Sequence, residues 1–139
     1  TIDTAHRAAA LEQLRSFNEP RYLHQTSIRH TSGQTKFHED LDLALATVKD
    51  PTQLTNTWSV HFHVPVYLQT LGLLGTSQND ILDCFDVCKS MPDLKHFEVE
   101  TYAWNVLPEE HQVSNLADGI AKEMTWVKNQ LDNKTISAD

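Results

Sequence analysis

Apolar residues recur along this chain at two periods, and each stretch predicts one kind of element. Ala10, Leu11, Leu14 and Phe17 have the spacing of one helix face, with Asp3 or Thr4 placed to cap its start and Pro20 just beyond its end. From Tyr22 to His30 and again from Thr35 to His38 the pattern turns strand-like, and the glycine of Thr31-Ser32-Gly33-Gln34 between them predicts a β-hairpin. Asp40 to Lys49 carries Leu41, Leu45 and Val48 at helical spacing until Asp50-Pro51 stops it. Trp58 to Pro65 then alternates strictly, with Trp58, Val60, Phe62 and Val64 on one face and Ser59, His61 and His63 on the other, as in a strand.

The second half alternates helix and strand with no internal repeat. Thr76 or Ser77 is placed to cap a helix, with Asp80 in the position of a capping box and Ile81, Cys84, Phe85 and Cys88 as its stripe, and Met91-Pro92-Asp93 ends it. Leu94 to Trp104 alternates again, Phe97 and Val99 pointing one way and His96, Glu98, Glu100 and Tyr102 the other. Leu107-Pro108 breaks that strand, and Val113, Leu116, Ala117, Ile120, Met124, Val127 and Leu131 mark a long closing helix that frays from Lys134. Strand, helix, strand, helix implies parallel strands with right-handed crossovers, which is an α/β fold. The expected layout is a helix over 1–20, a β-hairpin over 21–38, a helix over 40–50 and two βα units over 58–139, all within one domain.

Charge narrows the partners. With 139 residues and a formal net charge of -8, the chain has no cluster of Lys and Arg, so a nucleic-acid partner is not expected. The longest apolar run, Val64 to Leu68, is interrupted by Pro65 and falls far short of the roughly 20 residues of a membrane helix. The opening Thr1-Ile2-Asp3-Thr4 has neither an initiator Met nor the features of a secretory signal, which fits an internal fragment or a processed product. Cys84 and Cys88 lie four apart, a spacing that suits disulfide geometry poorly, so buried thiols and a cytoplasmic setting are expected.

The candidate chemistry sits on the polar faces of the two expected strands. One face offers His61 and His63, the other His96, Glu98 and Glu100, and these are metal-ligating and proton-transfer types. Were the strands part of a barrel, His63 and Glu100 would lie at the C-terminal ends where catalytic groups gather, with His61 and Glu98 a layer lower as structural lumen residues. From alternation alone, a hydrogen-bonded core histidine is the ordinary role for His63. Tyr102 and Trp104, just past Glu100, are placed either to stack on a sugar face or to plug a barrel mouth. His24, His30 and His38 fall in the hairpin, and His111 in an acidic loop, where surface positions are expected.

The runs His61-Phe62-His63-Val64-Pro65 and His96-Phe97-Glu98-Val99-Glu100-Thr101-Tyr102-Ala103-Trp104, together with Pro20-Arg21-Tyr22-Leu23-His24-Gln25 and Leu74-Gly75-Thr76, resemble the C-terminal part of the EboE-type metabolite-traffic proteins. That family is similar to the xylose isomerase-like TIM-barrel superfamily of sugar phosphate isomerases and epimerases. The resemblance runs over nearly the whole chain. It implies the last third of a (β/α)8 barrel, with 21–38 as an inserted hairpin and the earlier strands supplied by the N-terminal part of a longer protein. It also implies that His63 and Glu100 are two ligands of a divalent metal (Mn, Zn, Co or Fe), that Glu100 is also the catalytic base, and that Tyr102 and Trp104 contact the substrate. The expected activity is metal-dependent proton transfer on a small polar, sugar-like metabolite, with a non-catalytic carrier or scaffold as the alternative. The chain departs from the epimerases just after His63, where their sugar-holding Glu and Arg give way to Pro65-Val66-Tyr67-Leu68.

Two parallel strands cannot close a barrel, and open strand edges recruit further strands. The chain is therefore expected to self-associate, as a dimer, at roughly tens of micromolar, the range in which exposed edges bring chains together. Light scattering checks this, and a clean monomer contradicts it.

Overall fold

The computed structural model describes residues 4–51, 55–101, 104, 107, 112–113 and 115–135. Its elements, in chain order, are α1 (Thr4–Ser16), β1 (Thr26–Arg29), β2 (Thr35–His38), α2 (Leu41–Leu45), β3 (Thr57–Val60), β4 (Thr70–Leu71), β5 (Leu74–Gly75), α3 (Gln78–Cys88) and α4 (Leu116–Thr135). The fold is mixed α/β, built from helices and two small antiparallel sheets. The chain divides into two compact units, Thr1–His63 and Val64–Asp139, and the boundary falls inside the stretch expected to be one continuous strand.

In the first unit β1 and β2 form the expected hairpin, pairing Thr26 with His38 and Arg29 with Thr35. Gly33 turns the chain with a φ of 87°, the left-handed region that a residue without a Cβ enters most readily. The loop is closed by Gly33 N–H donating to the His30 carbonyl at 2.9 Å and His30 N–H donating to Gln34 at 2.8 Å. β3 pairs antiparallel with the other edge of β1, Thr26 opposite Val60 and Arg29 opposite Thr57, giving the order β2-β1-β3.

The strand from Trp58 was expected to lie parallel beside the stretch from Leu94, and it pairs antiparallel with the hairpin strand β1. Because β2 and β3 each run against β1, they run parallel to one another, as a helix-connected pair should. The hairpin strand β1 lies between them and takes the ladder hydrogen bonds. β3 also ends at Val60, earlier than expected, although His61 N–H still donates to the Gln25 carbonyl at 3.0 Å.

The core of this unit collects Leu11, Leu14 and Phe17 from α1 and the residue after it, Thr26 and Ile28 from β1, and Leu41, Ala44 and Leu45 from α2. Thr26, fully buried, satisfies its hydroxyl by donating to the His24 carbonyl at 2.9 Å. Phe62 packs its ring 5.0 Å from Phe17 and 4.6 Å from His24, so the alternation Trp58, Val60, Phe62 is obeyed beyond the last strand residue. The helix expected over 40–50 is shorter, and Ala46, Thr47 and Val48 continue it as single turns onto Asp42, Ala44 and Leu45.

In the second unit β4 and β5 make a tight hairpin through Gly72, whose φ of 59° is again one glycine tolerates. Of the two residues expected to cap α3, Thr76 engages the first helical N–H and Ser77 does not. Ser77 makes no side-chain cap, and the Thr76 hydroxyl accepts from Gln78 N–H at 3.4 Å while donating to the Leu68 carbonyl at 2.6 Å.

The expected strand from Leu94 does not form: the described residues 94–101 carry no ladder. Phe97 instead meets Phe85 of α3 edge-on at 5.7 Å. Phe97 stays 40 % exposed and Val99 is half-buried, so the alternation is followed only in part.

α4 presents a different stripe from the one expected. Leu116 and Met124 are exposed, whereas Gly119 and Glu123 are buried. A Cβ added at Gly119 would lie 2.9 Å from Val113 Cγ2 and 3.0 Å from Trp104 Cζ2. Gly119→Ala gains about 1 kcal/mol of helix propensity but forces a rigid indole aside, at about 1–3 kcal/mol. The variant should be less stable than the parent in urea unfolding.

Candidate functional site

The first unit gathers imidazoles and carboxylates around His24, a residue that alternation left as a surface histidine. His24 follows the turn after α1 and is only 6 % exposed. Its Nε2 lies 3.7 Å from Glu19 Oε1 and its Nδ1 lies 3.9 Å from Asp40 Oδ1, too long for hydrogen bonds, and Nδ1 has no hydrogen-bond partner among the described residues.

Both carboxylates are already engaged by the backbone. Glu19 accepts from Arg21 N–H at 2.6 Å and Tyr22 N–H at 3.0 Å, and Asp40 Oδ1 accepts from His24 N–H at 2.9 Å and Leu41 N–H at 2.8 Å. Burial therefore dominates and lowers the His24 pKa from its ordinary value of 6.5, against the pull of Glu19 and Asp40 and with a push from His61 and His63. At neutral pH the ring is a neutral base within reach of two carboxylates.

His61 and His63 complete the group. Their ring centroids are 5.2 Å apart, His61 is exposed with Nδ1 3.3 Å from Gln25 Oε1, and His63 is half-buried. Both lie just past β3 rather than within it. His61, expected as a buried lumen residue, is thus at the surface. His38 is buried too, at the end of β2, and its Nε2 has no hydrogen-bond partner among the described residues. His24 shares the parity of buried Thr26 and Ile28 two and four residues on, but what covers it comes from Asp40 and Phe62, far along the chain.

The second unit holds the remaining candidates. His96, Glu98 and Glu100 are exposed and lie outside any strand, so Glu98 is not a lumen residue here. Tyr102 and His111 lie outside the described residues. Trp104 is 7 % exposed, and its indole N–H donates to Glu123 Oε2 at 2.9 Å. Glu123, 2 % exposed, also accepts from Val66 N–H at 3.3 Å. Burial raises its pKa above the ordinary carboxylate value, the two donated hydrogen bonds opposing the rise only in part; burial, and after it the charge of Glu123, raises that of partly covered Tyr67. The cysteines were expected as buried thiols, yet Cys84 is exposed and Cys88 half-buried, because Phe85 alone is fully buried along α3.

His63 belongs to the first unit and Glu100 to the second. Among the described residues no group of three or more His, Cys, Asp and Glu side chains is arranged to hold a metal ion. The described side chains therefore do not by themselves fit the divalent centre that the resemblance implies. Among the described residues, no helix is long and apolar enough to cross a membrane.

The lowered pKa of His24 sets a sign for stability. A histidine depressed in the folded state stabilises fully above its unfolded value, near 6.5, and that stability is lost as pH falls through the folded value. Urea unfolding monitored by amide exchange in the first unit should show stability falling below about pH 6.5, and His24→Gln should flatten that slope. An unchanged slope in the variant would assign the dependence to other groups.

Comparison of the chain with protein-family models, with curated proteins and with solved structures gives no match.

Proposed function

We propose that this chain is part of a sugar phosphate isomerase/epimerase-like TIM-barrel protein and contributes proton-transfer groups to the isomerisation of a small polar metabolite. One observation carries the reading: His24, Glu19, Asp40, His61 and His63 are gathered in a unit whose His-Phe-His run is the part of the chain most like the epimerases. Half-buried His63, beside exposed His61, is the group in position to meet a ligand, with His24 and its carboxylates behind as a neutral, desolvated reserve of basicity. The finer assignments, Glu100 as base and metal ligand and Tyr102 and Trp104 as substrate contacts, rest on resemblance. A divalent metal would need ligands beyond those gathered in the described residues.

A second reading, a barrel that carries its metabolite without transforming it, is favoured by Pro65 to Leu68. Where epimerases hold sugar with polar side chains, Pro65 is buried and the Val66 backbone is consumed internally, its N–H by Glu123 and its carbonyl by Gln78 Nε2 at 2.9 Å.

The test is solvent exchange in heavy water on the full-length protein with a panel of ketose and aldose phosphates, followed by proton NMR. The isomerase reading expects loss of the signal from the carbon-bound proton next to the carbonyl, slowed about 10²–10⁴-fold by His63→Gln, the usual worth of a general acid or base. No exchange with any member overturns it. The carrier reading expects binding without exchange, with affinity retained in His63→Ala by calorimetry.

A further inference from the structure

Three sulfurs in the second unit are left without a role by the reading above. Cys84 and Cys88 stand one turn apart on α3, Cys84 exposed and Cys88 half-buried. The chain keeps turning after the helix ends: Lys89 N–H donates to the Phe85 carbonyl at 3.3 Å, Ser90 N–H to Val87 at 3.0 Å and Met91 N–H to Cys88 at 3.0 Å. Met91, 52 % exposed, lies just past the helix, on the turn that its own N–H closes onto the Cys88 carbonyl. The charged neighbour Asp86 is occupied elsewhere, its carboxylate 3.2 Å from Lys89 Nζ.

Two thiols and a thioether are the softest donors a protein offers, and soft sulfur selects monovalent copper over hard cations. Structural zinc takes four ligands in a tetrahedron, and these residues supply three. We propose that Cys84, Cys88 and Met91 form a sulfur-only binding site for one monovalent copper ion. On binding, the two S–H bonds break, both protons leave to solvent and two copper–sulfur bonds form, while the Met91 thioether donates a lone pair; no electron is transferred. An exposed site at the end of a single helix suits handing the ion on, since no part of the chain has to open for its release.

The test is anaerobic titration of the full chain with Cu(I) against a chromophoric chelator such as bicinchoninate, with copper X-ray absorption on the loaded protein. Expected are one tightly held ion per chain and a first shell of sulfur alone. Cys84→Ser/Cys88→Ser should lose that ion, and Met91→Leu should weaken it by at least the roughly tenfold that loss of an outer-shell partner costs. Circular dichroism would show whether α3 and α4 persist in the variants. Failure of the parent to take copper from the chelator, retention by the double serine variant, or a nitrogen shell from histidines such as His61 and His63 would each overturn the proposal.

Discussion

One oxygen of Asp40 accepts hydrogen bonds from two backbone amides, Leu41 at 2.8 Å and His24 at 2.9 Å, and much of the first unit hangs on that pair. The bond to Leu41 caps α2, whose five residues are too few to be stable without a cap and a buried face. The bond to His24 pins the chain two residues before β1, so the strand enters the sheet with Thr26 and Ile28 inward. It also fixes His24 itself, ring against Phe62, between Glu19 and Asp40. Replacing this carboxylate would cost a cap, a strand entry and the setting of the histidine cluster together.

The second unit solves a related problem with Glu123. Trp104 and Val66 are 38 residues apart in sequence, and each brings a donor into a covered region where an unpaired N–H is costly. The two oxygens of Glu123 take one donor each, and Gly119, one turn earlier on α4, leaves room for the indole. The helix accordingly buries a stripe containing a glycine and a carboxylate, which no count of apolar residues would select.

That difference explains what was legible in the sequence. The hairpin around Gly33 and the helices α1, α3 and α4 follow from local spacing, and local spacing decides them. What alternation could not decide was the partner. Trp58 to Phe62 has one covered face whether its neighbour is parallel or antiparallel, and Phe97 meets a ring of α3 without any sheet. For the site, the His61-Phe62-His63 run was visible because it alternates, whereas His24 and Glu123 were not, since their burial depends on groups far along the chain that satisfy or surround them. Cys84 and Cys88 were legible as a pair on one face but not as exposed.

Two of the buried ionisable groups, His24 and Glu123, pull the units in opposite directions with pH. His24, depressed by burial, favours folding most when the solution is neutral or alkaline, and its contribution is lost as pH falls through the folded value. Glu123, raised by burial, contributes fully below the ordinary carboxylate range, and that contribution is lost as pH rises through its folded value. For His24 the carboxylates of Glu19 and Asp40 oppose the shift without reversing it, and for Glu123 the hydrogen bonds from Trp104 and Val66 do the same. Acidification thus charges the ring that the first unit holds neutral while discharging the carboxylate that the second unit buries. Mild acid therefore acts on the first unit through His24, and that sensitivity follows from the desolvation that makes its ring a base at neutral pH.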